Sequence, residues 1–207
     1  GSLFLTVSDL REIRVGDTVL LKANQVEGAV DKYARFGVGP RFCALVTDDL
    51  HDRVNRRIAS MSKDEELQEE MLGLDVDDQV RFFGETVSPE NEQETASLTR
   101  RWLEQRFAAA HDEIDRLAWL RLDRVAMRML NKPSVSASEW LYLRLLVTGR
   151  GDTDARYVMI DEVQDYTTAQ LMVLARHFSR AHFLMLGDEH QAIREGTASF
   201  AQIRELF

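Results

Sequence analysis

Two short apolar runs in the last third of the chain constrain its fold most. Tyr157-Val158-Met159-Ile160 and Phe183-Leu184-Met185-Leu186 are unbroken hydrophobic tetrads, and a helical pattern from about Thr168 to Phe178 lies between them. Strand, helix and strand at this spacing form a βαβ unit, because parallel neighbours need a crossover where antiparallel ones need only a tight turn. Strands with no polar alternation are expected to be buried on both faces. The class that follows is α/β with a parallel sheet.

With 207 residues, 44% of them apolar, the chain holds one large domain or two small ones and can bury a sizeable core, so disorder is excluded as the default. Its 26 cationic residues stand against 35 acidic ones, a net charge of −9 that excludes a strongly basic nucleic-acid-binding body. Any contact with nucleic acid has to be local. The single cysteine, Cys43, excludes a disulfide framework and a four-cysteine zinc site and fits a reducing compartment. No run reaches the roughly 18 apolar residues of a membrane span and no charged-then-apolar leader opens the chain, so a soluble, cytoplasmic protein is expected. Gly1-Ser2 resembles the scar of a cleaved tag, and Leu3 starts inside an apolar run without a Met. The expectation is a piece of something longer.

Three segments differ in character. Over 1–46, apolar runs at Leu3 to Val7 and at Asp17 to Leu21 precede a helical pattern from about Ala23 to Phe36, which Gly37-Val38-Gly39-Pro40 closes as a turn. From Thr47-Asp48-Asp49-Leu50, a plausible helix start, the sequence is dense in charge to about Leu74. Ser88-Pro89-Glu90 opens a longer helical stretch in which Leu98, Trp102, Leu103, Phe107, Ala110, Ile114, Leu117, Leu122, Val125 and Met129 form an apolar stripe. Asn131-Lys132-Pro133 ends it. Residues 47–132 therefore read as a helical insertion of two or three helices, an arm, and 133–207 carries a short helix at Trp140 to Val147 and the βαβ unit.

The chemistry concentrates where the first buried strand ends, at Ile160-Asp161-Glu162-Val163-Gln164-Asp165-Tyr166. Ligands of open α/β sheets bind outside the carboxyl ends of the strands. An aspartate at a strand tip can hold Mg²⁺, largely through water, beside nucleotide phosphates, and the adjacent glutamate can orient or deprotonate an attacking water. The competing reading is a loop of solvated carboxylates capping a helix. A second polar cluster, Gly187-Asp188-Glu189-His190-Gln191, follows the second strand. If the strands are neighbours, Asp188 and Gln191 emerge beside Asp161 and Glu162, and Gly187 suits a close turn.

Together, Val158-Met159-Ile160-Asp161-Glu162-Val163-Gln164-Asp165-Tyr166, Leu186-Gly187-Asp188 and Gln191-Ala192-Ile193 resemble the Walker B motif and third motif of superfamily 1 helicases of the UvrD/Rep type. Within these they look most like the HelD, or helicase IV-like, branch that releases and recycles bacterial RNA polymerase. The resemblance covers about 138–207 well. It is weaker over the first 45 residues, at Leu20-Leu21-Lys22 with Glu27, Asp31 and Lys32, and 47–132 matches no motif. It implies a partial RecA-like (P-loop NTPase) sheet with a mostly helical inserted arm, and an ATP-dependent activity with ATP and Mg²⁺ as cofactors. DNA and RNA polymerase are the implied partners, in a bacterial cytoplasm. By the same carry-over Asp161 helps hold Mg²⁺ and Glu162 is the catalytic carboxylate. Gln164 and Asp165 link the nucleotide to neighbouring motifs, and Gln191 senses the γ-phosphate with Gly187 and Asp188 in its supporting turn.

No loop of the form G-x-x-x-x-G-K-[ST] is present: only Lys22, Lys32, Lys63 and Lys132 are lysines, and none follows a glycine. The chain alone is accordingly expected to hydrolyse no ATP. Two other readings stay open, an ordinary UvrD-like DNA helicase and a non-catalytic RecA-like interaction module. Asp75-Val76-Asp77-Asp78 fails as a calcium loop, because Gln79 and Val80 stand where an oxygen ligand and a glycine are needed. The five histidines show no zinc spacing. Trp102, Trp119 and Trp140 read as core before base-stacking platforms, and the arginines from Arg100 to Arg128 interleave with acids as a solvated face.

Overall fold

The computed structural model describes residues 5–188 and 197–206. The fold is mixed α/β and mostly helical, and the chain separates into two compact units. Unit 1 comprises Gly1–Gly37 with Ala44–Arg121, and unit 2 comprises Val38–Cys43 with Leu122–Phe207.

Unit 1 opens with a 3-10 turn at Val7–Asp9 and an antiparallel hairpin of β1 (Ile13–Val15) and β2 (Thr18–Leu21). Gly16 turns the hairpin at φ 56°, where a side chain on Cβ would be strained. Helix α1 (Ala23–Tyr33) follows, and a 3-10 turn at Ala34–Phe36 ends the expected helical pattern. Thr47 is not a helix start: α2 runs unbroken over Pro40–Met61, with Pro40 at its first position, where a missing N–H costs nothing. Short helices α3 (Glu65–Leu72) and α4 (Val76–Phe83) begin at Asp64 and Asp75, whose carboxylates accept the N–H groups of Leu67 and Asp78. Asp75 is thus a helix cap.

The long striped segment is three helices and not one: α5 (Glu92–Arg106), α6 (Ala108–Asp115) and α7 (Leu122–Leu130). The insertion therefore holds more than the expected two or three helices. Its stripe is nevertheless inside. Trp102, Leu103, Phe107, Ala110, Ile114, Leu122 and Val125 are buried, whereas Met129 is half exposed. The break has a tertiary cause. After α6 the backbone turns at Leu117 (φ 61°) and pairs with the chain start, Arg11 N–H donating to the Trp119 carbonyl at 2.8 Å and Arg121 N–H to that of Asp9 at 2.7 Å. Trp119 is fully buried there.

In unit 2, Asn131 at φ 52° closes α7, as the Asn-Lys-Pro sequence predicts. Helix α8 (Ala137–Thr148) starts in a capping box of Ser136 and Glu139 and ends at Gly149. Then come β3 (Tyr157–Ile160), α9 (Thr168–His177) and β4 (His182–Met185), with α10 (Phe200–Leu206) last. Strands β3 and β4 pair in parallel, Tyr157 opposite His182 and Ile160 opposite Met185, as the βαβ reading requires. Val158, Ile160, Phe183 and Met185 pack with Val163, Leu171 and Leu174 of the crossover and with Ile203 of α10.

Burial on both faces is not observed. Tyr157 is 79% exposed, Met159 67% and Leu184 52%, so the alternate residues form an open apolar face. Among the described residues the sheet has two strands, and its core is one-sided because α9 and α10 both pack with the inward-facing set.

Candidate functional site

The carboxyl ends of β3 and β4 are held together by backbone. Leu186 N–H donates to the Ile160 carbonyl at 2.8 Å, and Val163 N–H donates to the Leu186 carbonyl at 2.9 Å, so the segments leaving the two strands are stitched to each other. Parallel pairing in register puts Asp161 and Gly187 just beyond the same sheet end, followed by Glu162 and Asp188. Asp161, Glu162, Asp165, Gly187 and Asp188 are exposed there, whereas Gln164 is buried. Six of the seven expected site residues thus occupy one edge, and Gln191 lies outside the described residues, as do Glu189 and His190.

The local geometry is specific. Asp161 Oδ1 accepts the Glu162 N–H at 2.9 Å, which turns that carboxylate back over its own backbone. Glu162 itself is left-handed, at φ 48° and ψ 48°, a conformation that costs a residue with a Cβ about 1–2 kcal/mol. The reversal converts the strand into a 3-10 turn at Val163–Asp165, with Asp165 N–H on the Glu162 carbonyl at 2.8 Å. Val163 is driven into the apolar core below, and buried Gln164 donates its Nε2 to Glu162 Oε2. An amide fixed in the interior therefore aims an exposed carboxylate. That buried anchor was not legible from residue types, although Gln164 was expected to matter; its side-chain direction follows from the turn that Glu162 makes.

Behind the edge, Thr167 caps α9 through the Gln170 N–H at 3.2 Å, and Ala198 N–H donates to the Tyr166 carbonyl at 2.8 Å. At the opposite end of the crossover, Asp152 N–H donates to the His177 carbonyl at 2.7 Å. Gly151 is required there, because a Cβ on it would lie 2.0 Å from that same oxygen.

For a metal ion, the described residues contain no group of three or more His, Cys, Asp or Glu able to hold one by themselves. The chemistry of a lone exposed Asp161 fits an ion that keeps most of its waters and takes further oxygens from a phosphate, which is how Mg²⁺ is commonly held. A groove of about 650 Å³ in unit 1, lined by Arg11, Arg14, Glu113 and Arg121 among others, includes none of the expected site residues. No helix among the described residues is long and apolar enough to cross a membrane.

Other expectations from residue types are met in part. Trp102 and Trp119 are core, and Arg144 lies over the Trp140 ring at 5.2 Å. Arg100 pairs with Glu104 at 2.8 Å along its own helix, whereas Arg106 pairs with Glu70 of α3 at 2.9 Å. Two clusters in unit 1 escaped the sequence reading. Buried Asp49 accepts Lys32 Nζ and Arg53 Nε, both at 2.6 Å, and the i,i+4 spacing of Asp49 and Arg53 was the available signal. His51 and His111 meet through their Nδ1 edges across 60 positions of sequence, a pairing no local spacing announces.

No protein-family model and no curated protein matches the chain.

Proposed function

We propose that the chain is the Walker B-bearing part of a RecA-like motor of superfamily 1, of the HelD-like kind, which couples ATP hydrolysis to release or remodelling of RNA polymerase–nucleic acid complexes. The observation that carries this reading is the strand tip: an exposed Asp-Glu pair at the carboxyl end of a parallel βαβ unit, its glutamate aimed by buried Gln164. In such a site Asp161 would hold Mg²⁺, which neutralises phosphate charge when bound. Glu162 would orient the attacking water and take its proton, and the left-handed turn would keep its carboxylate in front of the sheet edge. The open apolar face of Tyr157, Met159 and Leu184 supports a place in a larger parallel sheet, which natural α/β proteins cover on both sides. Gln191 would sense the γ-phosphate, and the helices of 47–132 would be a partner-binding arm.

The test is steady-state ATP hydrolysis by a full-length motor protein containing this chain, wild type against Glu162→Gln, with and without RNA polymerase and single-stranded DNA. The expected result is turnover that the polymerase stimulates and the variant lacks. Stimulation by DNA alone, together with unwinding of a tailed duplex, would indicate an ordinary UvrD-like helicase. Absence of turnover in the wild type under every condition would indicate a non-catalytic module and overturn the reading.

A further inference from the structure

His51 on α2 and His111 on α6 face each other in unit 1, with ring centroids 4.8 Å apart and planes 19° from parallel. Their Nδ1 atoms are 2.6 Å apart, and His51 Nε2 is 2.8 Å from Asp115 Oδ1. Proton counting decides what this cluster tolerates. An Nδ1···Nδ1 hydrogen bond needs one proton between two nitrogens, so one ring must present a lone pair there. His51 already places its Nε2–H on the Asp115 carboxylate. With both rings neutral, His51 Nδ1 accepts from His111 Nδ1–H. With one ring cationic, the contact survives, and Asp115 balances the charge. With both rings cationic, two N–H groups would point at each other across 2.6 Å, and two like charges would meet edge to edge. The contact cannot hold that second charge.

We propose that His51, His111 and Asp115 form a proton-gated latch between α2 and α6, closed while the pair carries one positive charge or none and opened by the second proton. The charged groups around it are Asp112 and Asp115 on α6 and Glu104 on α5. The Asp115, Asp112 and Glu104 carboxylates favour a proton on His111. Burial, and then the neighbouring His51, hold the His111 imidazole below its ordinary range despite them. A histidine depressed in the closed state binds its proton more readily once released, so the latch is favoured above a pH of about 6.5 and lost as pH falls through the depressed value.

Hydrogen exchange of the α6 amides in the whole chain, followed from near-neutral to mildly acidic pH, tests this. One extra proton per opening makes exchange protection fall by at most about tenfold per pH unit, after correction for intrinsic exchange. Two separate variants, His111→Phe and His51→Phe, keep a flat ring at the contact and remove the second charge. The expected result is acid-dependent loss of α6 protection in the wild type and a flat profile in whichever variant stays folded. Equal protection of wild-type α6 across the range, or the same acid loss in a folded Phe variant, would overturn the proposal. Should neither variant fold, histidine proton NMR of the wild type decides: a broken Nδ1 contact on uptake of the second proton supports the latch, and a contact that persists with both rings protonated overturns it.

Discussion

Replacing Asp49 by Asn removes one negative charge from between two cations while keeping the side-chain volume. Asp49 is 5% exposed and accepts Arg53 Nε and Lys32 Nζ, each at 2.6 Å, so both of its oxygens are committed. Lys32 is about half exposed and recovers most of its hydration, so its loss adds little. Arg53 is about a quarter exposed and loses a charge-assisted hydrogen bond worth about 1.5–3 kcal/mol. The expected destabilisation of Asp49→Asn is therefore about 1.5–3 kcal/mol, or a fall in Tm of about 3–12 °C for a chain of this length. Burial alone would raise the Asp49 carboxyl, but hydrogen bonds from Lys32 and Arg53 prevail and hold it below its ordinary value. Its contribution is thus complete above the unfolded carboxylate value of about 4 and fades as pH falls through the lower folded one. Urea denaturation of both proteins, near neutrality and in acid, measures the gap. A neutral-pH gap below about 1 kcal/mol, or one that does not shrink in acid, would refute the argument.

Gly151→Ala should destabilise unit 2 severely, because the new methyl meets a backbone oxygen that no rotamer change can move; a melting temperature within a degree or two of wild type, about 0.5 kcal/mol, would contradict this. The Cys43 thiol, pushed up to about 12 by burial, should resist alkylation in the native chain and react once the protein is unfolded in urea, which a mass-spectrometric time course reads directly. Leu171→Ala, at a fully buried position under the sheet, should cost about 2–5 kcal/mol, while Met159→Lys on the open face should cost no more than about 0.5 kcal/mol. A large loss of stability from Met159→Lys in thermal denaturation would show that this face is covered.

Much of the candidate edge could be read from residues because its determinants are local. The apolar tetrads, the crossover length and the acids after Ile160 lie within about thirty residues, and a βαβ unit has one common way to close. Placing Asp161 and Glu162 beside Gly187 and Asp188 followed from parallel pairing alone. The stop at Asn131 was equally local. What residue types did not disclose was the aim of Glu162, which depends on Gln164 being buried, and the one-sided exposure of β3 and β4, which depends on which elements pack against them.

The striped segment shows the division between local and long-range information most clearly. By itself the sequence determined most of the residues of 98–125 that go inside, because an apolar period of three to five is satisfied by burying that face. It did not determine that the stripe would be cut into three helices. The second cut, between α6 and α7, was decided by Trp119 and Arg121 leaving helical geometry to hydrogen-bond Arg11 and Asp9, more than a hundred positions earlier. The same holds for His51 with His111 and for Lys32 with Asp49. Periodicity records the direction of burial, a property each residue carries alone; the partner met there is set by the closure of the whole chain, whose backbone hydrogen bonds and packing outweigh the few tenths of a kcal/mol per residue of local helix preference.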